Sequence, residues 1–269
     1  MEIEKSEEKI SLGFVGFGEA SINIVEGLKD YQELSIYAYD KNPKQANIKS
    51  YSNVNYVSTI DELLNNSNTI IVAIPGKEDK KLFLSITGNI KGHLFIDICT
   101  TSPKDKIEIS KIVEKMEGMY VDAAVMGSIP KYKNEVPILM SGKYTAHAIK
   151  VLEPLKFNIK KCGDEVGKAS SIKLCRSVFM KGLPALFVET KNISEKYGVE
   201  KEVLDSIYDS FKGDSFENNI TRIVNSAYKN RIRQEKELEE CKELEEFKES
   251  PSFMTEGAMK IYEKIIGKN

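Results

Sequence analysis

Residues 13–21 read GFVGFGEAS, a short apolar run that passes through a glycine-rich turn into a helix-like segment. In such a turn Gly16 allows a sharp bend, and Gly18 lets the backbone approach a pyrophosphate resting on the N-terminus of the next helix. Ser21 stands where the usual pattern has a third glycine, and its small side chain still permits close helix–strand packing. The pattern predicts a dinucleotide-binding loop, with a purely structural glycine turn as the alternative. The residues of this loop are Gly16, Phe17, Gly18, Glu19 and Ala20.

An acidic residue closes the next apolar run. Asp40 follows the run Leu34–Tyr39, about 20 residues after the glycines, which is the spacing expected of a dinucleotide site. A carboxylate here can accept hydrogen bonds from both hydroxyls of an adenosine ribose and would repel a 2′-phosphate. Lys41 and Lys44 would soften that repulsion. The sequence therefore predicts NAD as the cofactor and disfavours NADP.

Short apolar runs alternate with amphipathic segments through the first half of the chain. This alternation predicts a doubly wound parallel sheet with right-handed helical crossovers, the Rossmann arrangement. The predicted strands are 11–15, Leu34–Tyr39, 69–74, 93–98, Met119–Val125, Ile138–Ser141 and 157–161, and the first helices are 20–29 and 60–65.

The second half is predicted to be entirely helical, so the fold class is α/β followed by all-α. We expect a dinucleotide-binding domain at 1–163 and a helical substrate and dimerisation domain at 164–269. The run 169–188 is apolar on most sides, which predicts a mostly buried helix, kinked near Gly182 and Pro184, that pairs with its copy in a homodimer. The run 231–248 predicts an amphipathic helix with a solvated, largely acidic face.

Composition excludes several other classes of protein. The net charge of −2 gives no attraction to nucleic acid or to an anionic membrane, and no apolar run approaches the ~20 residues of a membrane span. The first ten residues lack a signal-peptide core, so we expect a cytoplasmic protein. The four scattered cysteines are interpreted as reduced core thiols, and with only two histidines no metal site is expected. The only partner that we expect besides a second copy of the chain is a small-molecule substrate.

With these motifs in order, the chain resembles the β-hydroxyacid dehydrogenase superfamily, and within it the short phosphogluconate-dehydrogenase-like proteins. The resemblance rests on GFVGFGEAS, on DICTTSP at 97–103, on VDAAVMGS at 121–128 and on GKASSIK at 167–173. It implies that Ile74, Pro75 and Thr100 also contact the cofactor. It implies that the segment Met126, Gly127 and Ser128 binds substrate, and that Lys173 is catalytic.

The chain departs from the superfamily pattern at two places. Ser177 replaces an asparagine that usually lies four residues after the catalytic lysine, and the substrate turn reads Met-Gly-Ser rather than Ser-Gly-Gly. Both departures fall where substrate is held, so the resemblance implies the hydride chemistry more firmly than the identity of the substrate.

The residues themselves also single out Lys173. On a helix, Arg176 and Ser177 share its face and Lys181 lies close to that face. A cationic face on an apolar helix is costly unless it lines a polar cavity, or unless Lys173 and Lys181 pair with acids of a neighbouring helix. In the first case a desolvated lysine near other cations has a lowered pKa, as a general acid/base requires.

The resulting hypothesis is hydride transfer between a nicotinamide cofactor and a small hydroxy acid or sugar acid. Lys173 would be the general acid/base and Ser177 would position the reacting oxygen. Arg176, Lys181 and the 126–128 turn would hold the substrate, with Arg176 as the anchor of its acid group. The alternatives are an imine reductase on the same fold and a non-catalytic nucleotide-binding sensor.

Overall fold

The structure, a computed structural model, describes residues 10–43, 54–244 and 252–267. The chain divides into two compact units, Met1–Arg176 and Ser177–Asn269. The first unit is α/β and the second is helical, which is the predicted fold class. Lys44 lies outside the described residues.

The first unit is built on a sheet of eight described strands in the order β3-β2-β1-β4-β5-β6-β7-β8. Neighbouring strands are parallel except for the antiparallel pair β6–β7. The parallel part therefore has one carboxyl edge, at which the loops after β1, β2, β4, β5 and β6 meet. The strands are β1 (Ile10–Val15), β2 (Leu34–Tyr39), β3 (Val54–Tyr56), β4 (Thr69–Val72), β5 (Leu94–Asp97), β6 (Met119–Val125), β7 (Ile138–Ser141) and β8 (Ile159–Gly163).

Helices cover both faces of this sheet, which is why the central strands are apolar throughout rather than alternating. All four residues of β4 and of β5 are buried. Two apolar clusters result, one containing Phe14, Ile36 and Ile96 and the other containing Ile70, Phe83 and Phe95. The helices of this unit are α1 (Glu19–Gly27), α2 (Ile60–Asn66), α3 (Gly76–Ser85), α4 (Pro103–Lys115), α5 (Ile129–Tyr132) and α6 (Thr145–Leu152), with short 3-10 turns at Lys133–Glu135 and Glu153–Leu155.

Each predicted strand overlaps an observed one, and the bounds of β2, β6 and β7 are confirmed, whereas β8 lies two residues later than predicted. Two predicted strands are too long: β4 ends at Val72 and β5 at Asp97, because the chain turns into loops at the carboxyl edge. The strand β3 was not predicted. It has only three residues, and the polar Asn55 stands in the middle of it.

The long helix α7 (Lys168–Lys196) crosses the limit between the units, and the helix assignment continues through Gly182 and Pro184. The remaining helices in the described part of the chain are α8 (Glu200–Phe211), α9 (Phe216–Lys229), α10 (Arg231–Cys241) and α11 (Phe253–Ile266). Within the second unit, the Glu189 carboxylate accepts hydrogen bonds from the backbone N–H groups of Met254 and Thr255 and so caps the start of α11. The predicted helix 231–248 ends at Cys241, and its last four residues lie outside the described part.

Two burial predictions are wrong for the single chain. Helix α7 is buried at its start, but from Val178 onward its large apolar side chains are mostly exposed, since no described element of the chain covers that face. Of the four free cysteines only Cys99 is buried; Cys175 and Cys241 are exposed. Among the described residues, no helix combines the length and apolarity needed to cross a bilayer.

Candidate active site

The glycine turn between β1 and α1 has the shape that a pyrophosphate requires. Gly16 has φ +87°, and a Cβ there would stand 2.4 Å from the Ala73 carbonyl oxygen, so only glycine fits. A Cβ at Gly18 would meet nothing within 4 Å, which leaves the backbone at the head of α1 open to a ligand. Ser21 is buried and donates to the Gly16 carbonyl, which holds the turn against the helix.

Asp40 is tied to this turn. Its Oδ2 accepts a hydrogen bond from the Phe17 N–H at 2.7 Å, and its Oδ1 accepts one from the Asn42 N–H at 2.8 Å. Each carboxylate oxygen keeps a further lone pair for a ribose hydroxyl. The Phe17 side chain is buried and packs edge-on against Phe14 and Tyr56, so Phe17 serves the loop through its backbone.

A cleft of about 530 Å³ lies at this edge of the sheet, within the first unit. Of the predicted cofactor residues, the cleft brings together Gly16, Gly18, Asp40, Ile74 and Pro75. Glu19 and Ala20 form the first turn of α1, and Thr100 lies in the loop after β5; these three do not line the cleft. Lys41, which was expected near the adenosine ribose, also lines the cleft. Sequence reasoning did not identify the other lining residues, which are Val15, Tyr39, Asn42, Ile60, Ala73, Glu78, Lys81, Leu82 and Ser85.

The predicted substrate turn follows β6 at the same edge. The Met126 N–H donates to the Pro137 carbonyl at 2.8 Å, and a Cβ on Gly127 would stand 3.1 Å from Pro137. Gly127 and Ser128 are exposed, so their backbone is open to a ligand. None of these observations identifies the ligand, and the turn's role in substrate binding stays a prediction.

Helix α7 begins on a buried carboxylate. Asp122 Oδ2, on β6, accepts hydrogen bonds from the backbone N–H groups of Gly167 and Ser170, both at 3.0 Å. Ser141 on β7 donates to the same oxygen and accepts from the Ala169 N–H. Carboxylate and hydroxyl together satisfy the first amides of the helix and oppose its positive end. Two neighbouring strands therefore set the start of the helix that carries Lys173.

Lys173 lies five residues after the start of this helix and is partly buried. Burial lowers the pKa of its amine, the positive charge of Lys106 lowers it further, and the negative charge of Asp122 acts in the opposite direction. The net effect is a lysine that gives up its proton more readily than an exposed one, as a general base requires. Arg176 is exposed beside it, while Ser177 and Lys181 follow on the same helix within the second unit.

A buried polar cluster lies under the loops of the carboxyl edge, and sequence reasoning missed it. The Lys106 ammonium, on α4, is 2.7 Å from Asp97 Oδ2 and 3.7 Å from Asp79 Oδ2, and all three side chains are buried. The Tyr120 hydroxyl donates to Asp97 Oδ2, and the Cys99 N–H donates to Asp97 Oδ1. The available signal was Asp97, a carboxylate that ends the apolar strand LFID.

The oxygens of Asp79 and Asp97 and the Cys99 sulfur lie within 4.8 Å of one another, a spacing that could hold a metal ion. The chemistry of the group suits the Lys106 ammonium rather than a metal ion. Burial raises the pKa of the Cys99 thiol, so the sulfur stays protonated, and the Lys106 ammonium already neutralises Asp97. Burial, together with the negative charge of Asp97, also raises the pKa of Asp79 to about 8.

The family of the chain follows from comparison with known proteins. Residues 11–163 match the NAD binding domain of 6-phosphogluconate dehydrogenase. The chain belongs to this family, and through it to the β-hydroxyacid dehydrogenase superfamily that its motifs resemble. The glycine turn, Asp40 and the cleft beside them all lie within the residues that match this NAD-binding domain.

Individual relatives extend this likeness over most of the chain. An uncharacterized 28.5 kDa protein of Methanothermus fervidus is 30% identical over 226 residues, 84% of this chain and 87% of that protein. Mouse mitochondrial 3-hydroxyisobutyrate dehydrogenase is 25% identical over 213 residues, and the match spans 63% of the mouse enzyme. The structure of an imine reductase from Pseudomonas sp. covers 95% of this chain and is matched over 93% of its own length, with a TM-score of 0.76 and 21% identity, a likeness of fold.

Proposed function

We propose that this protein is a nicotinamide-dependent oxidoreductase that acts on a small hydroxy acid or sugar acid, with Lys173 as the general acid/base. One observation carries the proposal: the helix with a partly buried lysine of lowered pKa begins on Asp122, which pairs with the last residue of β5 at the same edge of the sheet as the cleft. The loop after β5 connects the two: Cys99 Sγ accepts a hydrogen bond from the N–H of Ile74, a residue of the cleft, and the helix that follows this loop contacts Gly167 at the start of the Lys173 helix.

The described residues fit the cofactor. The Gly16 turn has no room for a side chain, the amides at the head of α1 are open, and Asp40 faces the same cleft. A bound nicotinamide would supply the acceptor or donor of the hydride. The chain's own task is then to hold substrate and to move one proton.

Lys173 performs the proton transfer in this proposal. During oxidation its neutral amine takes the proton of the substrate hydroxyl as that carbon loses a hydride; during reduction its ammonium returns the proton to the carbonyl oxygen. The backbone at Gly127 and Ser128 and the Ser177 hydroxyl are proposed to position the reacting oxygen. Arg176 is proposed to bind the acid group, since its guanidinium can pair with a carboxylate in bidentate fashion, and Lys181 and Met126 complete the substrate-binding set.

The test is a screen that separates this proposal from its alternatives. Small 3-hydroxy acids and sugar acids are offered with NAD⁺ and NADP⁺, and cyclic imines with the reduced cofactors, while nicotinamide absorbance is followed. Oxidation of a hydroxy acid supports the proposal. Turnover of imines alone would favour the imine reductase. Tight cofactor binding with no turnover of either class would favour the sensor.

We expect NAD(H) to bind more tightly than NADP(H), because the Asp40 carboxylate repels a 2′-phosphate. Calorimetric titration of the wild type with both cofactors checks this. Asp40→Ser should narrow the preference about tenfold or more, since it removes the repulsion while leaving a small polar side chain. Asp30→Ser, an exposed change outside the cleft, is the control. Equal or tighter binding of NADP(H) by the wild type would overturn the assignment of NAD.

We also propose that the protein is a homodimer that buries the exposed apolar face of α7. Val178 and Val188 are 77% and 58% exposed in the single chain. An exposed apolar patch of this kind marks a surface that another protein chain covers. Light scattering should give twice the mass of one chain, and Val178→Asp with Val188→Asp should give a monomer. Ile261→Asp, an exposed apolar position on α11, should leave the dimer intact. A monomeric wild type would contradict the proposal.

A further inference from the structure

Lys106 is unusual because a lysine is almost never fully buried unless it is paired. It lies one turn into α4, yet its side chain is 0% exposed. Its ammonium donates to the Asp97 backbone carbonyl at 3.2 Å in addition to its contact with the Asp97 carboxylate. Such a charge needs fixed partners, so the position of Lys106 is set by the end of β5.

The carboxylates around Lys106 belong to two neighbouring loops, the β4–α3 loop that lines the cleft and the β5–α4 loop beside it. Asp97 leads into the loop that carries Thr100, and Asp79 lies on α3, directly after the loop that carries Ile74. The two loops also touch through their backbones: a Cβ on Gly76 would stand 2.0 Å from the Thr100 carbonyl oxygen. The buried ammonium therefore pairs with Asp97 and lies between both segments that the proposed function places beside the cofactor.

The first turn of α4 also packs against the start of the helix that carries Lys173. A Cβ on Gly167 would lie 3.3 Å from the Pro103 carbonyl oxygen and from the Ile107 side chain. The titratable groups near the Lys173 amine include Lys106 from α4, Asp122 from β6 and the protonated Cys99 thiol from the loop after β5. Of these, only Lys106 is positive.

We propose that Lys106 is a positioning residue for the proposed reaction: its pair with Asp97 fixes the β5–α4 loop against the β4–α3 loop, and its ammonium places a fixed positive charge near the Lys173 amine. This inference rests on the proposed function for its catalytic meaning. The effect of Lys106 on the pKa of the Lys173 amine, however, can be measured whether or not that function is correct. A positive neighbour disfavours the protonated amine and so lowers the pKa of Lys173, in agreement with the direction that the structure gives.

The test measures the protonation of Lys173 directly and needs no substrate. Trace acetylation by acetic anhydride across a range of pH, read by mass spectrometry on the peptide that contains Lys173, gives the apparent pKa of that amine. In the wild type it should lie below the ordinary value for a lysine side chain. Lys106→Met should raise it. Lys104→Met, an exposed change on the same helix, should not move it.

Lys106→Met leaves Asp97 buried without its cation, so Lys106→Met with Asp97→Asn provides a second variant in which neither charge remains. An unchanged Lys173 pKa in a folded variant overturns the inference, and so does an ordinary lysine pKa for Lys173 in the wild type. Failure of the proposed acid/base role is distinguishable from failure of this inference. In that case Lys173→Ala would keep normal turnover, whatever the acetylation experiment shows.

Discussion

Lys173→Ala will lower turnover on a verified substrate by ~10²–10⁴-fold while cofactor affinity stays nearly unchanged. The reason is that the variant loses proton transfer but keeps the glycine turn and Asp40, which lie on other elements of the first unit. Steady-state kinetics and a calorimetric NAD titration on the same preparation measure the two quantities. Lys173→Arg should recover little, because a guanidinium does not give up its proton near neutral pH.

The matched control is Lys168→Ala, an exposed lysine at the start of the same helix, which should keep both turnover and cofactor affinity. A structural role for Lys173 would give a different result: melting temperature and cofactor affinity would fall together and arginine would substitute. Near-normal turnover of Lys173→Ala would eliminate the proposed acid/base.

Asp79→Asn will stabilise the protein at alkaline pH, and the gain will grow with pH. The folded pKa of about 8 lies above the ordinary value of 3.8, so between these values the native state holds a proton that the unfolded state has released. Native stability therefore falls as pH rises through this window and levels off above it. The difference in unfolding free energy between variant and wild type should widen by about 1.4 kcal/mol per pH unit up to roughly pH 8.

Urea unfolding at several pH values between 5 and 9 measures this difference. Asp30→Asn, at an exposed position on the same unit, is the control for the loss of a carboxylate. A flat difference for Asp79→Asn would mean that Asp79 is ionised and compensated at neutral pH, with Lys106 shared between two carboxylates rather than paired with Asp97.

The parts of the fold that could be predicted are those whose signal is local. The glycines that define the turn at 13–21 lie within one short segment of sequence. The strands β2, β6 and β7 are apolar runs with clear ends, so their bounds were predicted correctly. The strand β3 is too short for a periodic signal and acquires its structure from pairing with β2.

The buried cluster could not be predicted, because its members are far apart in sequence and look ordinary where they stand. Lys106 occurs in PKDKIEIS, a pattern that fits a solvated helix, and Asp79 occurs in GKEDKK, which does too. Only the sheet brings β5 next to β6 and sets α3 and α4 against the same edge. Likewise, the exposure of Cys175 depends on which face of α7 the chain covers, and apolar composition alone does not decide that.

The central claim is that this chain catalyses hydride transfer, and isotope transfer tests it most directly. The purified protein is incubated with NADH carrying deuterium at C4 on one face or the other, together with a panel of small 3-oxo acids, and the products are read by mass spectrometry. The account predicts that one of the two labelled faces delivers deuterium to the carbinol carbon of a hydroxy acid, and that Lys173→Ala greatly slows this transfer. Binding of labelled NADH with no deuterium reaching any hydroxy acid from either face would contradict it.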